Sequence, residues 1–191
     1  GMMYNQTLSL PFRKIYAIDF EYYGDAGEVP KIVCMVVQNV RTGEISRVWQ
    51  NELRKMKTPP FETEEDIVIL TYFAPAEIQS MLALDWSTNV SVIDLFAEFR
   101  CETNGNPNII RKRLVDALSH YHLEHFIPEE KEAMRSLILS GGPWTKDQQE
   151  DILHYCEQDV LALGPLLNAI LEHQNWSDLR LNQALLRGRY M

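Results

Sequence analysis

The chain has 191 residues, 46% of them hydrophobic and 24% charged, which is the make-up of one globular domain large enough to bury a real core. No apolar run approaches the roughly 18 residues needed to cross a bilayer, and no signal peptide is visible. The formal net charge is −9, which taken alone argues against a nucleic-acid-binding surface, since phosphate contact recruits Lys and Arg.

Two features soften that objection. A site built to hold divalent metals is itself acidic. Basic residues are also grouped, at Arg111, Lys112 and Arg113 and again at Arg180, Arg187 and Arg189; solvated helix surface is the alternative for both groups. Cys34, Cys101 and Cys156 form neither a CxxC pair nor an even framework, so they read as reduced thiols of a cytoplasmic protein without structural zinc. Gly1 ahead of Met2 reads as a remnant of tag removal.

The first half of the chain reads as strands. Residues 14–20 are β-rich and 31–40 are a longer apolar run. Residues 44–50 follow a hairpin turn at Thr42-Gly43. Residues 67–73 read as a buried strand after Pro59-Pro60, and a short helix follows with Pro75 in its first turn. Residues 90–95 make a fifth strand. The second half reads as helices, over 108–121 and 128–140. Gly141-Gly142-Pro143 breaks the chain. Thr145 and Gln148 then have capping-box spacing for a helix running through Tyr155 and Asp159. Gly164-Pro165 should kink or end that helix, and a last one runs from near Ser177 through Arg187. This order predicts an α/β domain with a mixed five-stranded sheet flanked by helices, spanning 1–191. The ending at Arg189-Tyr190-Met191 has no cap or breaker, which reads as a piece of something longer.

Asp19 and Glu21 close the first strand. Side chains two apart on a strand share a face, and Phe20 between them points to the other. Two adjacent carboxylates repel, and burial raises the cost. A divalent cation such as Mg²⁺ or Mn²⁺ would compensate; a solvated strand end is the alternative. Tyr155 and Asp159 are four apart, one turn from each other on one helix face. Each feature is weak alone. Together they place a strand-end acid pair early and an acid with a neighbouring phenol late.

That order resembles the DEDD exonuclease superfamily, in the tyrosine subtype found in the proofreading domain of family A DNA polymerases. The Asp-x-Glu motif is matched by Asp19-Phe20-Glu21, and the Tyr-xxx-Asp motif by Tyr155-Cys156-Glu157-Gln158-Asp159. The stretches 141–163 and 184–191 are also similar to their settings in polymerase-like proteins. The resemblance covers about residues 14–191 and implies a ribonuclease H-like fold. The middle motif departs from the pattern. Residues 71–82 occupy its place, the acid in register is Glu77 where the family has Asp, and Tyr72-Phe73 stand for its His-Asn lead-in. Asp94 is the competing third acid, with a helix cap as its other role. His154 has the spacing of the histidine subtype, but the residues after Tyr155 favour the tyrosine one.

The resemblance implies 3′→5′ removal of nucleoside monophosphates from single-stranded DNA by two Mg²⁺ or Mn²⁺ ions. Asp19, Glu21, Glu77 and Asp159 would hold the ions, with Asp19 bridging them, and Tyr155 would orient the attacking water. Phe20 and Tyr22, with Tyr23 beside them, are the expected stacking contacts, with sheet packing as the alternative. An attached polymerase domain would deliver the primer end. The His120, His122 and His125 group reads as a helix end and loop, and Trp49, Trp86, Trp144 and Trp176 as packing residues. Two other readings remain: a degenerate exonuclease fold kept as a scaffold, suggested by the altered middle motif, and an RNA-trimming exonuclease.

Overall fold

The computed structural model describes residues 5–190; Gly1 and Met191, and the readings that rest on them, lie outside these. In chain order the elements are α1 (Asn5–Leu8), β1 (Lys14–Tyr23), β2 (Lys31–Asn39), β3 (Ile45–Trp49), α2 (Gln50–Leu53), β4 (Ile67–Thr71), α3 (Ala74–Ala83), β5 (Val92–Asp94) and α4 (Leu95–Thr103). Then come α5 (Leu114–His120), α6 (Pro128–Leu139), α7 (Lys146–Leu161), α8 (Leu163–His173) and α9 (Asp178–Tyr190). The strands form one five-stranded sheet in the order β3-β2-β1-β4-β5. β1, β2 and β3 pair antiparallel, while β4 and β5 join β1 in parallel. This is the mixed α/β sheet that the sequence predicts.

β1 is central because it is paired on both edges and buried on both faces. Ile15 and Ala17 face one core, with Val36, Ile152, Val160, Leu166 and Leu167. Tyr16, Ile18 and Phe20 face another, with Met35, Leu53, Met81 and Trp86. Helices α7 and α8 therefore cover one side of the sheet, and α2 and α3 the other. The register of β1 against β2 shifts between Glu21 and Tyr22, opposite Cys34 and Ile32. A bulge of this kind bends the strand pair and turns its end, here beside the acidic pair. Among the described residues no helix is long and apolar enough to cross a membrane.

The helix expected over 108–121 is shorter, beginning only at Leu114. Residues 108–113 come directly after Gly105, whose φ is +82°, and Pro107. The Arg113 amide donates to Asp116 Oδ2 at 2.9 Å, which sets the cap there. Ile110 is 87% exposed, so the apolar spacing that suggested an earlier start is not a buried stripe. The cap at Thr145 forms as its spacing predicts. The Gln148 amide donates to Thr145 Oγ1 at 3.1 Å, and the Thr145 amide donates to Gln148 Oε1 at 2.9 Å. α7 ends at Leu161, the residue whose carbonyl Pro165 has no N–H to reach. His120 ends α5, while His122 and His125 lie in the loop beyond it.

At the other sheet edge α9 runs along β5. A Cβ on Gly188 would stand 2.0 Å from the Val92 carbonyl oxygen, so only glycine permits that approach. One residue earlier, Arg187 reaches into a buried ion-pair network with Glu98 of α4, which Arg180 also joins. These two arginines are thus neither solvated surface nor available to phosphate.

Candidate active site

The alternation of β1 turns Asp19 and Glu21 toward α7, half-buried at the end of the strand. α7 is fastened there by Arg47 of β3, whose guanidinium donates to Glu157 at 2.7 Å and to Glu150 at 2.6 Å. Tyr155, Cys156 and Asp159 share the buried side of this helix, because three or four residues bring the chain back to one face. One ligand atom each from Asp19, Glu21 and Cys156 lies within 4.8 Å of the others. The Cys156 thiol is 3.5 Å from the Asp19 carbonyl oxygen and 3.8 Å from Asp19 Oδ2.

Glu77 arrives from the opposite layer. It lies in the first turn of α3, is 3% exposed, and donates a hydrogen bond to the Asp19 carboxylate. Its Oε2 is buried with no partner. The rival acid, Asp94, is engaged with backbone. It accepts from the Phe73 and Ala74 amides at 2.9 Å each and from the Phe96 amide at 3.0 Å. It thus caps α4 and pins the start of α3, so Asp94 sets where Glu77 stands. Tyr72, in the lead-in, donates its phenol to the Lys112 carbonyl.

Lys131 of α6 supplies the positive charge. Its ammonium lies 2.9 and 3.1 Å from the two oxygens of Asp159 and 4.9 Å from the centre of the Tyr155 ring. Beside the acids opens a cleft of 1070 Å³, lined in part by Glu21, Tyr22, Arg113, Lys131, Arg135 and Tyr155. Tyr22 is 39% exposed there. Phe20 corrects the sequence reading: it is 3% exposed and packs against Trp86 at 6.1 Å, so its ring belongs to the core on the far face of the sheet. The same alternation that brings Asp19 and Glu21 together turns Phe20 away from them. His154 is exposed, whereas Tyr155 is 8% exposed and lines the cleft.

The crowding shows in the acidities. Burial, then the Asp159 charge, pushes the Asp19 carboxyl up to about 7, against the hydrogen bond from Glu77 and the charge of Lys131. Burial and the neighbouring Asp19 hold both Glu21 and Glu77 well above the usual carboxylate range. Burial raises Asp159 too, opposed by Lys131. Burial and the Asp159 charge raise the Tyr155 phenol, which therefore stays protonated at neutral pH. Cys156 is raised by burial and its hydrogen bond with Cys34, so it is a thiol and not a thiolate ligand. Four carboxyls, one with an orphaned buried oxygen, are a hard oxygen donor set. Such a set fits Mg²⁺ or Mn²⁺ better than a soft metal.

A pH dependence follows. The folded-state value of about 7 for Asp19 lies above the value of about 4 for an unfolded chain. Stability from a carboxyl raised in this way is complete below the unfolded value and is lost as pH rises through the folded one. The metal-free protein is therefore expected to melt at a lower temperature at about pH 8 than at about pH 5, and Mg²⁺ to restore the loss. Thermal melts in EDTA and in Mg²⁺ check this; a melting temperature that rises with pH in EDTA would contradict it.

Sequence reasoning missed Lys131, Cys156 and Arg135. Cys156 carried a signal, since it is three residues from Asp159 on a helix face already in question. Lys131 carried none, because its helix meets α7 only in the folded chain.

No protein-family model matches the chain, and no curated relative matches it. Solved structures do. One described as the apo form of a nuclease is 18% identical, with a TM-score of 0.63 over 94% of this chain and 81% of that one. Brucella melitensis NrnC with bound Mg²⁺ is 16% identical, with a TM-score of 0.59 over 95% and 83% of the two chains. The same protein bound to pGG gives the same figures. The sheet order and these likenesses together show that the chain has the ribonuclease H-like α/β fold of these nucleases.

Proposed function

We infer that the protein is a metal-dependent 3′→5′ exonuclease that releases nucleoside monophosphates from single-stranded DNA. The observation that carries this is the meeting of Asp19 and Glu21, Glu77 and Asp159 from three elements, beside a protonated Tyr155 and at the edge of an open cleft. The Mg²⁺ bound by the Brucella protein of the same fold supports a metal at such a site. Two Mg²⁺ or Mn²⁺ ions held by the four carboxyls would supply charge neutralisation at the scissile phosphate and lower the cost of deprotonating water.

The remaining work falls to the chain itself. The Tyr155 O–H, kept protonated by burial and by its acidic neighbours, orients the attacking water and does not remove its proton. The Tyr22 ring, at the cleft surface, stacks on the terminal base without reading its identity. Arg135, also on the cleft, attracts the backbone phosphate. The protein acts in the cytoplasm, and a polymerase domain in the same chain would bring the strand end to this cleft. A second reading takes RNA ends as the substrate; the Brucella protein of the same fold is bound to pGG, which supports a short nucleotide strand as the ligand of such a cleft.

The test uses single-stranded DNA and RNA of one sequence, labelled at the 5′ end, with Mg²⁺, Mn²⁺ or EDTA. The expected result is a ladder shortening from the 3′ end of the DNA and abolished by EDTA. A ladder on RNA alone would move the assignment to RNA trimming. Intact strands under every condition would leave the scaffold reading.

A further inference from the structure

Lys131 ties α6 to α7 through Asp159 and lies over the Phe126 and Tyr155 rings, a cation inside a site otherwise built of acids. α6 is held against the sheet by Ile138, which is buried, and by the partly buried Met134 and Leu137. Lys131 sits on the same helix but is turned into the acidic cluster, with its side chain only 23% exposed. Both oxygens of Asp159 are taken by its ammonium. Its charge also favours the ionised forms of Asp19 and Glu21, against the burial that pushes both carboxyls up. One ammonium thus serves three carboxyls, which is the role a divalent ion would fill.

We propose that Lys131 is a resident counter-ion exchanged for the metal: its ammonium leaves Asp159 when a divalent ion binds and passes to the phosphate of the nucleotide in the cleft. The inference rests on the metal-site reading above. Three observations carry it. A divalent ion on either oxygen of Asp159 would stand close to an ammonium held at 2.9 and 3.1 Å from those oxygens, and the two positive charges repel. Lys131 also lines the cleft, so its flexible four-carbon stem can turn the ammonium out of the cluster without moving the helix. Arg135, one turn further along α6, lines the same cleft, and its charge bears on Tyr22. An ammonium turned outward would join Arg135 as a pair of cations suited to a phosphate.

The exchange couples two ligands. Metal alone must displace the ammonium and leave it without an anion. A nucleotide phosphate alone must draw it away from Asp159 and leave the carboxyls uncompensated. Bound together, each removes the penalty of the other, which is positive cooperativity between metal and nucleotide. A purely structural lysine would add nothing to the coupling that metal and phosphate have by direct attraction.

Calorimetric titration of Mn²⁺ into the wild-type chain, Lys131→Met and Lys131→Arg, with and without thymidine 5′-monophosphate, tests this. Lys131→Met is expected to bind Mn²⁺ about tenfold more tightly than wild type in the absence of nucleotide. The nucleotide is expected to tighten Mn²⁺ binding to wild type and to Lys131→Arg by about tenfold more than it tightens binding to Lys131→Met, where only direct attraction between metal and phosphate remains. Equal or weaker Mn²⁺ binding by Lys131→Met, or coupling in it as strong as in wild type, would overturn the exchange while leaving the metal site standing. Absence of Mn²⁺ binding in all three proteins would overturn the metal site and the exchange with it. Lys131→Arg keeps the charge, so a fold damaged at this position would show as a loss common to both variants, which also counts against the exchange.

Discussion

Asp19→Ala is expected to lower the rate of 3′-end nucleotide release by about 10²–10³-fold or more, with the fold intact. Asp19 is the hub of the cluster. It accepts from Glu77, lies within ligand distance of Glu21 and Cys156, and feels the charge of Asp159. Its loss removes the carboxylate that joins the acids of β1 to those of α3 and α7. The same substitution should leave the metal-free protein at least as stable as wild type near neutral pH. It deletes a carboxyl that is disfavoured as an anion there, and it leaves no buried positive charge unpaired, since Lys131 keeps Asp159. Single-turnover cleavage of labelled DNA, with thermal melts in EDTA, reads both effects. A rate within tenfold of wild type would remove Asp19 from the machinery. A large loss of stability would instead make its role structural.

Glu98→Ala is expected to destabilise the fold by about 3–5 kcal/mol, the usual consequence of removing one partner from a buried ion-pair network. The Glu98 side chain is fully buried on α4. Arg187 of α9 donates to it twice, at 2.9 and 2.7 Å, and Arg180 donates to it as well. Arg180 would keep Glu102 at 3.0 Å, but the described structure gives Arg187 no second hydrogen-bonding carboxylate. The damage should centre on the seam where α9 meets β5, since Gly188 follows directly after Arg187. For a chain of this size the melting temperature should fall by on the order of 10 °C. Denaturant unfolding measures the energy, and a change below about 1 kcal/mol would show that solvent rescues the arginines. Nuclease activity per folded molecule should not change, because these arginines face α4 and not the cleft.

The site lay open in the sequence to different degrees. Asp19 and Glu21 could be paired from their spacing, and Tyr155 with Asp159 from theirs, because strand and helix periods act within a few residues. Glu77 needed a resemblance, since nothing around it marks a buried acid. The backbone hydrogen bonds of Asp94 and the burial of Glu77 are consequences of α3 folding onto the end of the sheet. Phe20 misled as a substrate contact although its own position in the strand already turned it to the opposite core. The helix expected from residue 108 misled because apolar spacing alone does not say whether a surface is buried.

The sequence by itself determined the mixed sheet, the cap at Thr145, the end of α7 before Gly164-Pro165, and the shared faces within each short motif. The cap, the helix end and the shared faces depend on hydrogen bonds and sterics between residues close along the chain, and the sheet was legible because the order of strand and helix segments leaves few ways to pair them. Only the tertiary structure decided that Glu77 meets Asp19, that Lys131 holds Asp159, and that Arg180 and Arg187 close a buried network instead of facing phosphate. Those contacts join residues 28 to 89 positions apart in the chain. Their geometry follows from how whole helices pack on the sheet, and local periodicity carries no record of it.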